Sequence, residues 1–141
     1  MQNFVLDSSV IVKWLNSHNE QDVSIAEQIF IHAFKDNTLT IFAPELAKYE
    51  IGNTLAGKKQ LTDPELFVAL EFLYSLPIQF VKENQNLAQM TGQLAHANNL
   101  TYYDAAFVAV AREHNYPLIT ANPKHHKDVP GVKIINLADY R

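Results

Sequence analysis

The sequence predicts a three-layer α/β fold built on a mostly parallel five-stranded sheet. Two observations carry that expectation. Five short apolar runs, at residues 3–6, 39–43, 78–81, 117–120 and 132–135, have the length of strands and lack the polar alternation of a half-exposed sheet. The intervals between the first four runs show apolar residues at helical spacing. Strand alternating with helix implies crossover connections, which make a sheet parallel and cover both of its faces.

Asn3-Phe4-Val5-Leu6 is the first strand. It ends at Asp7-Ser8-Ser9, and Val10-Ile11-Val12-Lys13-Trp14-Leu15 then reads as a helix. Asp22 opens a second helix with Val23, Ala26, Ile29, Phe30 and Ala33 on its apolar face, and Asn37 closes it. After the second strand, Pro44 is expected near the start of the next helix, where its missing N–H is harmless. That helix runs to about Gly57. Thr62-Asp63-Pro64-Glu65 is another helix start, with Leu66, Leu70 and Leu73 facing inward. Leu87, Met90, Leu94 and Ala97 mark a helix that Asn98-Asn99 stops. Thr101 then caps a last helix, with an acid at Asp104 in capping-box spacing. From Ala105 to Ala111 that helix is apolar on every side, which means burial. No repeat, linker or low-complexity segment interrupts the chain, so residues 1–141 are expected to form one domain.

Composition narrows the chemistry. Hydrophobic content of 48% and charged content of 18% describe a globular chain. With 11 basic against 15 acidic side chains, net charge −4, overall charge does not attract nucleic acid; a local basic patch or bound cations would have to. The absence of cysteine removes disulfides, thiolate metal sites and cysteine nucleophiles. No apolar run is long enough to span a bilayer and the N-terminus has no signal-peptide pattern, so the expectation is a soluble cytoplasmic protein with no membrane association.

In parallel sheets ligands bind beyond the carboxyl ends of the strands, and Asp7 and Asn122 both lie just past such an end. Asp7 also suits the N-cap of the helix that follows, and both roles are compatible. Glu50 and Asn53 are neighbours on a helix stripe beside the apolar one formed by Ala47, Ile51 and Leu55. Asp104 lines up with Val108 and Ala111, so its carboxylate must be paired, lie near a cation or look into a cleft. Lys124-His125-His126-Lys127 follows Asn122 on the same edge. Lys124, His125 and Lys127 are candidate phosphate contacts there, and Lys13 is another near Asp7. The adjacent histidines hint at a metal site, although neighbouring side chains rarely converge on one ion. Trp14 reads as core.

Taken in order, a strand ending in Asp7-Ser8-Ser9-Val10, Pro44 with Glu50 and Asn53, Tyr103-Asp104-Ala105 leading a buried helix, and Leu118-Ile119-Thr120-Ala121 closing a strand resemble a PIN domain. The likeness covers essentially the whole chain and is strongest to the VapC-type toxins. It implies a sheet in the order 3-2-1-4-5 and cleavage of single-stranded RNA with Mg²⁺ or Mn²⁺. By that resemblance Asp7, Glu50 and Asp104 match three acids of the metal cluster, supported by Ser8, Asn53 and Thr120. A homodimer and a small antitoxin that blocks the acidic cleft are implied as well. Mg²⁺ and Mn²⁺ take carboxylate, carbonyl and water oxygens, so the donor types agree. The chain departs from the family at Asn122, where an Asp is usual: an amide oxygen still ligates a hard cation but brings no charge. Asp128 is a possible substitute. The change leaves three outcomes open: a working one-metal nuclease, a slowed nuclease, and a folded relative that binds RNA or a partner without cutting.

Two rival chemistries fit less well. A phosphatase with Asp7 as nucleophile needs a second Asp two residues on, and Ser9 stands there. The four glycines form no phosphate-cradling loop.

Overall fold

The computed structural model describes residues 1–126 and 128–141. Its five strands are β1 (Gln2–Leu6), β2 (Leu39–Pro44), β3 (Gln79–Val81), β4 (Leu118–Thr120) and β5 (Ile134–Asn136). Six α-helices connect or precede them: α1 (Ser8–Leu15), α2 (Val23–Phe30), α3 (Leu46–Ala56), α4 (Asp63–Ser75), α5 (Gln85–Asn98) and α6 (Tyr102–His114). All strand pairs are parallel and the sheet order is β3-β2-β1-β4-β5, as the family resemblance implies.

This order fixes where the helices go. Right-handed crossovers running from β1 toward β3 place α1 to α4 on one face, and the return from β3 to β4 places α5 and α6 on the other. The packing agrees: α1 touches α2, α3 and α4, while α5 packs on α6. The turning point lies between β1 and β4, where an open parallel sheet leaves a crevice beyond its strand ends. Val5, Leu6, Leu118 and Ile119 fill the core there. From Ala105 to Ala111, α6 is buried without a break, as its composition demands.

Local chemistry sets the boundaries. Thr62 forms a full capping box with Glu65 at the start of α4. At α6 only half the box forms: Thr101 Oγ1 accepts from the Asp104 N–H at 3.0 Å. Asn99 and Asn115 end α5 and α6 in the left-handed region that Asn tolerates. Two expectations need correction. The second strand runs one residue past Ala43: Pro44, just ahead of α3 as expected, is the last residue of β2 and pairs with Val81; the next N–H, that of Glu45, still reaches the Val81 carbonyl at 3.0 Å. The second helix does not run unbroken to Asn37: after Phe30 it relaxes into a π-helical turn, Ile31–Lys35. On α4, Leu73 and Ala69 are buried while Leu66 and Leu70 pack at the margin. Trp14 is half-buried, edge-on to Phe30 and Phe34, and its indole N–H donates to the Ala26 carbonyl at 2.7 Å.

The Thr101 cap ties the start of α6 to the position of Asp104. Thr101→Ala should cost about 1 kcal/mol of unfolding free energy in a urea melt, the usual loss for an N-cap. A change near zero would mean that the cap carries no stabilisation here.

Candidate active site

Asp7 follows the last residue of β1 and is the N-cap of α1. Its N–H donates to the Ile119 carbonyl at 2.9 Å, which pins it against the end of β4. Only 6% of Asp7 is exposed. Its Oδ2 accepts from the Ser9 hydroxyl, from the Ser9 N–H at 3.2 Å and, more distantly, from Thr120 Oγ1 at 3.4 Å. Its Oδ1 lies 3.0 Å from His126 Nε2. Ser9 Oγ in turn accepts from the Ala121 N–H at 3.1 Å, so the β1 and β4 ends are laced together around this carboxylate.

Glu50 comes from the middle of α3, on the stripe beside the buried Ala47, Ile51 and Leu55. It is half-buried, and the Ser8 hydroxyl donates to its Oε1 at 2.6 Å. Asp104 sits in the first turn of α6, which runs back along the sheet and so starts at the carboxyl edge of the strands. All three carboxylates line one cleft of about 530 Å³, together with Ser8, Asn53, Asn122 and His125. The expected site residues are thus brought together from β1, α3, α6 and the loop after β4. Thr120 is buried directly beneath, supporting Asp7 and accepting from the Asn122 N–H at 3.0 Å.

Several expectations change. Lys13 lines the cleft but is buried, and its ammonium is paired with Glu20 at 3.1 Å. Lys58 holds the other oxygen of Glu20 at 3.1 Å. Lys13 is therefore not a free phosphate contact. Lys124 and Asp128 are exposed and do not line the cleft, so Asp128 does not stand in for an acid at 122. Lys127 lies outside the described residues. The sequence favours the neighbours of His126 as site residues, yet it is His126 that turns inward: only 3% of it is exposed and its ring packs edge-on to Phe107. Nothing in a run of Lys and His distinguishes the one side chain that does so. Ser9 is a further site residue beyond those expected, and a second hydroxyl after Asp7 is the cue that points to it.

The electrostatics show that the groups feel one another. Burial pushes the Glu50 carboxyl up; the Ser8 hydrogen bond opposes this, and the charges of Asp7 and Asp104 push it further. For Asp7, burial also favours the neutral acid, but the hydrogen bond and charge of His126, with the bonds from Ser9, win and hold it below the ordinary value of 3.8. For His126, burial opposes protonation, while Asp7 above all, then Asp104 and Glu50, raise it above 6.5.

The PIN-domain pattern matches residues 4–131. The chain belongs to the PIN-domain family. No curated protein matches the sequence significantly. Solved structures share the fold at low identity. VapBC2 from Rickettsia felis, bound to a DNA fragment from its promoter, is 16% identical with a TM-score of 0.70, covering 96% of this chain and 98% of that one. VapBC-1 from nontypeable Haemophilus influenzae is 16% identical with a TM-score of 0.69, covering 98% and 100%. VapC20 of Mycobacterium tuberculosis, a toxin that cleaves the Sarcin-Ricin loop, is 13% identical with a TM-score of 0.64, covering 84% and 87%.

The donors of this PIN domain fit a hard divalent cation: three carboxylates and an amide line one cleft, and each of the other two acids disfavours ionisation of Glu50. Among the described residues, no three of the acids and histidines already stand as a closed ligand group. Two of the carboxylates have protein partners instead, Ser8 on Glu50 and His126 on Asp7.

The Asp7–His126 pair sets a pH dependence in metal-free protein. Folding raises the proton affinity of His126, so its stabilisation is complete below pH 6.5 and fades as pH rises through the folded value. Folding lowers that of Asp7, so the same pair is lost on the acid side as pH falls through its depressed value. Glu50, raised, adds a loss of stability as pH climbs above 4.5. In EDTA the melting temperature should therefore fall from mildly acidic to alkaline pH, and His126→Gln should flatten the slope above pH 6.5. An equally steep slope in the variant would show that the pair is not its source.

Proposed function

We propose that the protein is a divalent-metal-dependent endoribonuclease acting on single-stranded RNA, and the toxin of a toxin–antitoxin pair. The observation that carries this reading is the meeting of Asp7, Glu50 and Asp104 in one cleft, from three separate parts of the chain. Membership of the PIN family and the likeness of fold to proteins of VapBC complexes support it. The activity of VapC20 supports RNA as the substrate class. We place the protein in the cytoplasm, as one domain.

Asp7, Glu50 and Asp104 would hold Mg²⁺ or Mn²⁺, with the Asn122 side-chain oxygen as a neutral donor. When bound, such an ion lowers the pKa of a water and stabilises negative charge on a departing oxygen. The chain does the positioning. Ser8 fixes the Glu50 carboxylate, and Ser9 and Thr120 fix Asp7. Asn53 and His125 line the cleft where a strand of RNA would lie, and His125 is the exposed basic side chain placed to meet a phosphate.

Assembly has support in the surface. Tyr49 on α3 and Phe67, Val68 and Tyr74 on α4 are large apolar or aromatic side chains left largely exposed on two helices that touch. This surface is suited to a second copy and to an antitoxin.

Cleavage of a single-stranded RNA should require Mg²⁺ or Mn²⁺ and stop with EDTA. Asp7→Asn and Asp104→Asn should each lower the rate by about 10²–10³-fold, the size of effect seen when one fixed electrostatic partner is removed. Activity untouched by both substitutions would overturn the assignment. A metal-stimulated phosphatase activity without nuclease activity would favour the rival chemistry.

Asn122→Asp restores a charge at the cleft and should tighten metal binding and raise the rate. If neither changes, the amide already suffices at that position.

A further inference from the structure

His126 is the buried titratable side chain that the proposed chemistry leaves without a task. Its ring is 3% exposed, wedged against Phe107, yet it reaches the lining of the acidic cleft. The loop that carries it is anchored at both turns: the Asn122 N–H donates to Thr120 Oγ1 and the His125 N–H to the Asn122 carbonyl, each at 3.0 Å.

We propose that His126 Nε2 is a neutral ligand in the shell of the divalent cation, adding a nitrogen donor to a set that Asn122 leaves with three acids, and that this nitrogen tilts the site from Mg²⁺ toward first-row transition ions such as Mn²⁺. The inference rests on the nuclease reading of the same cleft.

Two observations support it. Nε2 lies 3.0 Å from Asp7 Oδ1. Two donors each about 2.1 Å from one octahedral ion sit about 3 Å apart along an edge of its shell, so the pair already has the spacing of neighbouring ligands. His126 also lines the same cleft as Asp7, Glu50 and Asp104, where a shared cation would sit.

The proton balance is simple. The proton shared between Nε2 and Oδ1 leaves to solvent as the ion enters, because both donors bind a metal deprotonated. The remaining ring proton then sits on Nδ1, which is buried without a partner among the described residues. That unpaired donor costs some free energy, so the gain in affinity is moderate. Imidazole nitrogen is a better donor to transition ions than to Mg²⁺, which holds to oxygen and water.

Pulsed EPR on the full chain loaded with Mn²⁺ decides the matter, backed by calorimetric affinities for Mn²⁺ and Mg²⁺. The wild type should show ¹⁴N coupling to Mn²⁺. His126→Phe should abolish it, and His125→Ala should leave it. Mn²⁺ affinity should fall in His126→Phe by roughly 10-fold, the lower end of what loss of a metal-site partner costs, and Mg²⁺ affinity should fall less. Mn²⁺ that binds, depends on Asp7 and shows no ¹⁴N coupling overturns the inference and leaves the nuclease reading standing. Coupling that disappears in His125→Ala instead also overturns it. No Mn²⁺ binding at all removes both. Should His126→Phe fail to fold, the presence or absence of ¹⁴N coupling in the wild type still separates a nitrogen-ligated ion from one held by oxygen alone.

Discussion

A buried, ionised carboxylate at the end of the central strand is the constraint to which the rest of the site answers. An unpaired charge in such a place costs several kcal/mol, so Asp7 must find partners from whatever the fold brings near. It finds them in three segments: Ser9 at the start of α1, Thr120 at the end of β4, and His126 in the following loop. These bonds close the crevice at the point where the chain, having built the sheet from β1 to β3, turns back to add β4 and β5. The same order that leaves a crevice there also fills it with polar groups.

The surroundings are unbalanced in a telling way. Glu50 resists ionisation, pushed by burial and by the charges of Asp7 and Asp104. Asp7 ionises readily, but through His126. One wall of the cleft is fixed by a second charge cluster, in which Glu20 is clamped between Lys13 and Lys58 and ties the loop after α1 to the end of α3. That clamp uses up a lysine that the sequence alone offers to substrate. A cleft this acidic does not welcome a polyanion by itself; a cation between carboxylates and phosphate reconciles the two.

Most of the fold is legible in the sequence because its signals are local. Apolar runs, helix starts at Thr62 and Thr101, and Asn at helix ends all report on nearby backbone. The departures at Pro44 and in the π-turn after Phe30 are boundary effects, where neighbouring strands and packing outweigh local preference. The three acids are legible through family resemblance and through their positions after strands or on helix stripes. The inward turn of His126 and the capture of Lys13 are not. Each depends on a contact with a residue distant in the chain or across a loop, Asp7 in one case and Glu20 in the other. A row of basic residues looks alike in sequence whether its members face solvent or the interior.

Folding gathers Asp7, Glu50 and Asp104 around a place suited to a divalent ion, and the most direct measurement of that is anomalous diffraction from crystals soaked in Mn²⁺. A peak in the cleft bounded by those three carboxylates is the expected result. Well-ordered crystals with no peak there, or with Mn²⁺ only elsewhere on the surface, would contradict it.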